Sequence, residues 1–78
     1  MDRIEILNQV MNVFKDVLDD ENITLTEETT AADVEEWDSL THIQLVVAIE
    51  KNFKFRFTSK EIQSWKNVNK IIDCIMTK

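Results

Sequence analysis

The chain has 78 residues, 44% of them hydrophobic, and a formal net charge of −6, which suits one small domain and leaves little room for a deep catalytic cleft. Glycine and proline are both absent, so glycine-rich phosphate loops and the dinucleotide and P-loop classes are excluded, and turns with positive φ fall to Asn or Asp. A single cysteine, Cys74, and a single histidine, His42, rule out an internal disulfide and fall short of the usual structural zinc sets, so no metal site is expected.

The opening segment "MDRIEILNQV" mixes charged and apolar residues, with no secretory h-region, and no apolar run approaches the length of a bilayer span. A reducing, cytoplasmic setting is expected. The first helix is predicted from Arg3 to Leu18, with Asp2 as N-cap and Glu5 at the capping-box position. Ile4, Leu7, Val10, Met11, Phe14, Val17 and Leu18 recur at helical spacing as its stripe to bury.

From Asp19 to Trp37 the periodicity breaks into "DDENITLTEETTAADVEEW". This reads as a long ordered loop pinned by Ile23, Leu25 and Val34, with a turn near Ala31 to Val34, because a structureless stretch of this length is unusual in a small domain. Charge divides the chain here. Asp16 to Glu50 holds eleven acidic residues and no Lys or Arg, whereas Lys51 to Lys78 holds seven basic residues against Glu61 and Asp73. The acidic half repels phosphate backbones, so nucleic-acid binding is not expected and a basic partner protein is the natural complement, unless the acids only keep the surface solvated.

A second helix opens at Asp38 or Ser39 and runs to about Phe53. Its apolar residues separate at about 100° per position into two groups, Leu45, Val46, Ile49 and Phe53 on one side and Leu40, Ile43 and Val47 on another. Either this is a central helix covered by the other three, or the second group is an exposed ridge, rimmed by Thr41, Gln44 and Glu50, for a partner. "KFRFTS" then reads as a brief extended segment. Thr58 caps a short third helix with Glu61 at the box position, Ile62 and Trp65 pointing inward, and a fourth helix from Val68 to Met76 buries Val68, Ile71, Ile72 and Ile75. Cys74 is a small core residue on this last helix. The expected architecture is all-α, a four-helix bundle of one domain with one long connection, and a monomer.

Ser39 has three possible roles. As a cap it is redundant beside Asp38. As a nucleophile it has Asp38 and His42 nearby, but neighbours on one helix do not line up as a triad and no glycine shapes an oxyanion hole, so an enzyme is not expected. As an attachment point it sits where the helix macrodipole and free N–H groups favour a phosphodiester.

The stretch "WDSLTHIQLVVAIEKNF" resembles the Asp-Ser-Leu motif and following helix of acyl and peptidyl carrier proteins, and the pattern of helices is similar over nearly the whole chain. The resemblance implies a four-helix bundle of the acyl-carrier type in which Ser39 carries a covalent phosphopantetheine arm. A phosphopantetheinyl transferase would supply it from coenzyme A, with Asp38 helping to position magnesium and phosphate. Acyl or aminoacyl groups would ride on the arm as thioesters between loading and transferring enzymes that present basic docking surfaces. Leu40, Ile43, Val47 and Glu50 would be docking contacts, and His42, Val46 and Ile49 would border an acyl pocket. Thr41 and Gln44 stand where carriers of fatty-acid synthesis usually have acids, which points to a specialised biosynthetic pathway. An aminoacyl or peptidyl carrier, and a helical adaptor without prosthetic group, are the alternatives.

Overall fold

The computed structural model describes residues 2–78 and contains four helices: α1 (Arg3–Leu18), α2 (Ser39–Phe53), α3 (Ser59–Gln63) and α4 (Val68–Met76). Each begins where a short polar side chain meets an apolar run. Asp2 accepts from the Glu5 N–H, Asp38 from Leu40 and Thr41, Thr58 from Glu61, and Asn67 from Lys70, so all four helices start on a side-chain cap.

The C-terminal ends of α1 and α2 show how the chain manages without glycine. Asp19 and Lys54 adopt the left-handed conformation, with φ of 51° and 62°. Asp19 is the residue type expected for such a turn, whereas Lys54 is not. Its conformation lets both the Lys54 and Phe55 N–H groups reach the Glu50 carbonyl, at 2.8 and 3.3 Å, which closes the helix before Phe55 and Phe57 turn back onto the domain.

α1 packs against α2 and α4, and the core between them is built from Val10, Phe14, Leu45, Ile49, Val68 and Ile72 with their neighbours. The buried stripe of α1 differs from the one periodicity suggests. Ile4 is 72% exposed, while Ile6 and Val13 are buried. Apolar residues are dense enough on α1 to fit two overlapping stripes that share Val10 and Phe14, and the helices packed against it select the one that includes Ile6 and Val13. On α4 the expected face, Val68, Ile71, Ile72 and Ile75, is buried.

The connection from 19 to 38 is ordered by its own bonds. Ile23, Leu25, Val34 and Trp37 are buried in the core. The Val68 and Asn69 N–H groups donate to the Thr29 and Glu27 carbonyls, both at 2.8 Å, and Thr30 forms an isolated antiparallel bridge with Asn67. Arg3 fastens three elements together: its guanidinium donates to Glu27 of the loop and to Asn69 and Asp73 of α4. The bond to Asp73, followed by that to Glu27, raises the Arg3 pKa further above its ordinary value. Residues 55–58 are non-helical and make no strand pairing among the described residues. Phe57 is buried there, and its N–H donates to Glu50 Oε2 at 2.9 Å.

Candidate functional site

The N-terminus of α2 is fixed by a reciprocal set of bonds. Asp38 is extended, and its Oδ1 accepts from the Leu40 and Thr41 N–H groups at 3.0 Å each. Thr41 Oγ1 accepts from the Asp38 N–H at 2.8 Å and donates to the Glu36 carbonyl at 2.6 Å. Thr41, read from the sequence as a rim residue, is thus the second half of a capping box. The Thr41 backbone N–H is the main cause that holds the Asp38 carboxyl below the ordinary carboxylate range.

Ser39 is the first helical residue and is exposed, and none of the described residues bonds to its hydroxyl. The electrostatic case for a phosphodiester here changes in one respect. Leu40 and Thr41 give their N–H groups to Asp38, and His42 gives its own to the Asp38 carbonyl at 2.8 Å, so only the Ser39 N–H remains open in the first turn. A phosphate on Ser39 therefore relies on the helix dipole and on solvent, with little help from free donors. An exposed, unengaged hydroxyl beside open space is what such a group needs sterically.

That space is a cleft of about 430 Å³ lined by Ala31, Trp37, Asp38, Ser39, His42 and Trp65. His42 is half-buried and uses both ring nitrogens. Nδ1 accepts from the Trp37 indole Nε1 at 3.0 Å, and Nε2 lies 3.3 Å from the Ile62 carbonyl. Because an indole N–H only donates and a carbonyl only accepts, this geometry requires the neutral Nε2–H tautomer. His42 is therefore a structural bridge between the loop, α2 and the end of α3. With both nitrogens engaged there, and the Asp38 carboxylate capping α2, the Ser-His-Asp triad that the sequence allows on paper is not assembled.

The two apolar groups of α2 have separate fates. Leu45, Val46 and Ile49 are buried, whereas Leu40, Ile43 and Val47 are 68%, 64% and 45% exposed. Of the three residues taken as a pocket border, His42 lines the cleft beside Ser39, and Val46 and Ile49 are buried in the core. Glu50, taken as a docking residue, is half-buried and has a structural task in accepting the Phe57 N–H. Trp37 and Trp65 are cleft residues that the sequence reading treated only as a motif neighbour and a core side chain. Their signal was present, since an indole two residues before an exposed serine has to be buried somewhere close to it.

Residues 8–75 match the family described as "Phosphopantetheine attachment site". The chain belongs to that family. Among relatives, it is 29% identical over 75 residues to an acyl carrier protein of Coprothermobacter proteolyticus, covering 96% of this chain and 92% of the relative. Among solved structures, it is similar to the holo acyl carrier protein of Geobacter metallireducens, with a TM-score of 0.86 and 40% identity over 92% of this chain and 83% of the other. The resemblance carried by the Asp-Ser-Leu motif and the four-helix expectation both hold. As a member of the phosphopantetheine attachment family the chain takes phosphopantetheine as its prosthetic group.

Proposed function

We propose that Ser39 is the attachment residue and that the chain is an acyl carrier, holding acyl or aminoacyl groups for partner enzymes and catalysing no reaction itself. The observation that carries this reading is the exposed Ser39 hydroxyl at the first position of α2, without a partner among the described residues, beside a cleft on one side and the Leu40, Ile43 and Val47 ridge on the same helix. The prosthetic group supplies a flexible arm whose terminal thiol forms thioesters.

The chain's own residues do the rest. Asp38 holds Ser39 at the helix start and keeps a carboxylate next to the hydroxyl, where a transferase brings magnesium and the phosphate of coenzyme A. Leu40, Ile43 and Val47 offer apolar area whose burial against a partner is favourable at about 25 cal/mol per Å². Asp33, Glu35 and Glu36 are exposed around the site and complement basic docking surfaces. His42, with Trp37 and Trp65, forms the wall of the cleft next to the arm. The few acids along α2 support a partner set belonging to a specialised pathway, and the small monomeric domain suits the cytoplasm.

Incubation with coenzyme A, magnesium and a broad-specificity phosphopantetheinyl transferase tests this, with intact mass as the readout. A gain of one phosphopantetheine, absent in Ser39→Ala, is the expected result. A folded wild-type protein that no transferase modifies would end the reading.

A further inference from the structure

α2 changes chemistry along its length. Its Ser39 end is flanked by the exposed acids Asp33, Glu35, Glu36 and Asp38, and its middle presents Leu40, Ile43 and Val47. Its far end leads into Lys51, Lys54 and Arg56, all exposed, and none of the three forms an ion pair among the described residues. With Val47, Glu50 and Phe55 these cations line a groove of about 460 Å³.

Two features separate this groove from an ordinary basic helix end. Lys51 and Lys54 are placed to offset the C-terminal dipole of α2, but Arg56 lies beyond the helix in the non-helical segment and does nothing for it. The groove also has apolar walls. Val47 is 45% exposed, and the half-buried Phe55 ring is held by Phe53 and Phe57 at centroid distances of 5.8 and 5.0 Å. Glu50 is the only acid in the lining, so three cations face one carboxylate, and that carboxylate already accepts the Phe57 N–H.

We infer that this groove seats an acidic segment of a partner protein, with carboxylates against Lys51, Lys54 and Arg56 and an apolar side chain between Val47 and Phe55. Val47 belongs to both the ridge and the groove, so the two surfaces are continuous. The inference rests on the carrier reading only for the identity of that partner as an enzyme acting at Ser39. Its consequence is directional. Acid at one end of α2 and base at the other, about 22 Å apart by helical rise, fix which way a partner lies along the helix, because a reversed partner sets like charges together.

The test is an amide-resolved NMR titration of the labelled protein with a synthetic helical peptide carrying one Leu among three Glu, and with the same peptide carrying Lys in place of Glu. The Glu peptide is expected to shift Val47, Lys51, Lys54, Phe55 and Arg56, with affinity falling about fivefold or more in the Lys51→Gln/Lys54→Gln/Arg56→Gln variant and falling again with added salt. The Lys peptide is expected to move its shifts to residues 33–38. Shifts from the Glu peptide that are scattered, or that the triple variant leaves unchanged, overturn the proposal. Saturable shifts at the same residues from inorganic phosphate, with no preference between peptides, overturn it in favour of a small-anion site. Binding to phosphatidylglycerol vesicles without response to the Glu peptide overturns it in favour of a lipid surface. Intact mass of the wild type after transferase treatment keeps the two readings apart, because it reports on Ser39 without the peptide. If the wild type is not modified, the carrier reading falls, while the peptide titration still decides the groove.

Discussion

The indole N–H of Trp37 donates to Nδ1 of His42 across 3.0 Å, with the two rings only 12° from parallel, and this bond ties the last buried residue of the long loop to the first turns of α2. Phe14 meets the Trp37 ring edge-on at 5.1 Å, and Trp65 meets the His42 ring at 5.8 Å. The position of the Ser39 cleft thus depends on a polar contact set within an aromatic cluster.

Replacing His42 with Leu leaves the Trp37 N–H buried and unpaired, for an expected loss of about 1–3 kcal/mol in chemical unfolding. Trp37→Phe should cost less in the His42→Leu background than in the wild type, by about 1 kcal/mol of coupling. Strictly additive losses would show that the bond contributes nothing. Phosphopantetheinylation of the His42→Leu protein should persist where it remains folded, since His42 does not reach the Ser39 hydroxyl.

Asp38 gives a pH-dependent cap. Its folded-state pKa lies below the ordinary value of 3.8, so its contribution to stability is complete above that value and is lost as pH falls through the lower, folded one. Asp38→Ala should lower the melting temperature at pH 7 by a few degrees. The gap between wild type and variant should close as the solution is acidified below the usual carboxylate range. A gap independent of pH would mean that the charged form of Asp38 has no special role in the cap.

The division of α2 into buried and exposed faces predicts opposite outcomes from similar changes. Ile49→Ala, in the core, should cost about 2–5 kcal/mol. Val47→Glu, on the ridge, should stay within about 0.5 kcal/mol of wild type in stability. The same Val47→Glu protein should be turned over more slowly by partner enzymes, read as initial rate at subsaturating carrier. An unfolded Val47→Glu protein would place that residue in the core.

Lys54 holds a left-handed conformation that costs an ordinary residue about 1–2 kcal/mol. Lys54→Gly removes that strain and returns part of the gain as unfolded-state entropy, for an expected net stabilisation of about 0.5–1 kcal/mol by thermal unfolding. The substitution also deletes a cation from the groove at the end of α2, so a more stable protein should bind the Glu peptide more weakly.

The sequence carried the helices and their starts because capping and amphipathic periodicity are local. The caps Asp2, Asp38 and Thr58 needed no tertiary information, and neither did the stripe on α4, whose four buried positions admit one phase. The Asp-Ser-Leu motif likewise marked Ser39 from neighbours in the chain. α1 was less legible: helical spacing put Ile4 in the stripe and left out Ile6 and Val13, because its closely spaced apolar residues fit two overlapping phases until α2 and α4 packed against it.

What the sequence determined by itself is a four-helix chain with an exposed-type serine at the start of a two-faced helix. Whether the Leu40, Ile43 and Val47 face of α2 is covered, that Trp37 and Trp65 enclose His42 beside Ser39, and that Lys51, Lys54 and Arg56 gather around Val47 and Phe55 were decided only by tertiary structure. Those relationships join residues from different elements, and local pattern contains no term for the distance between them.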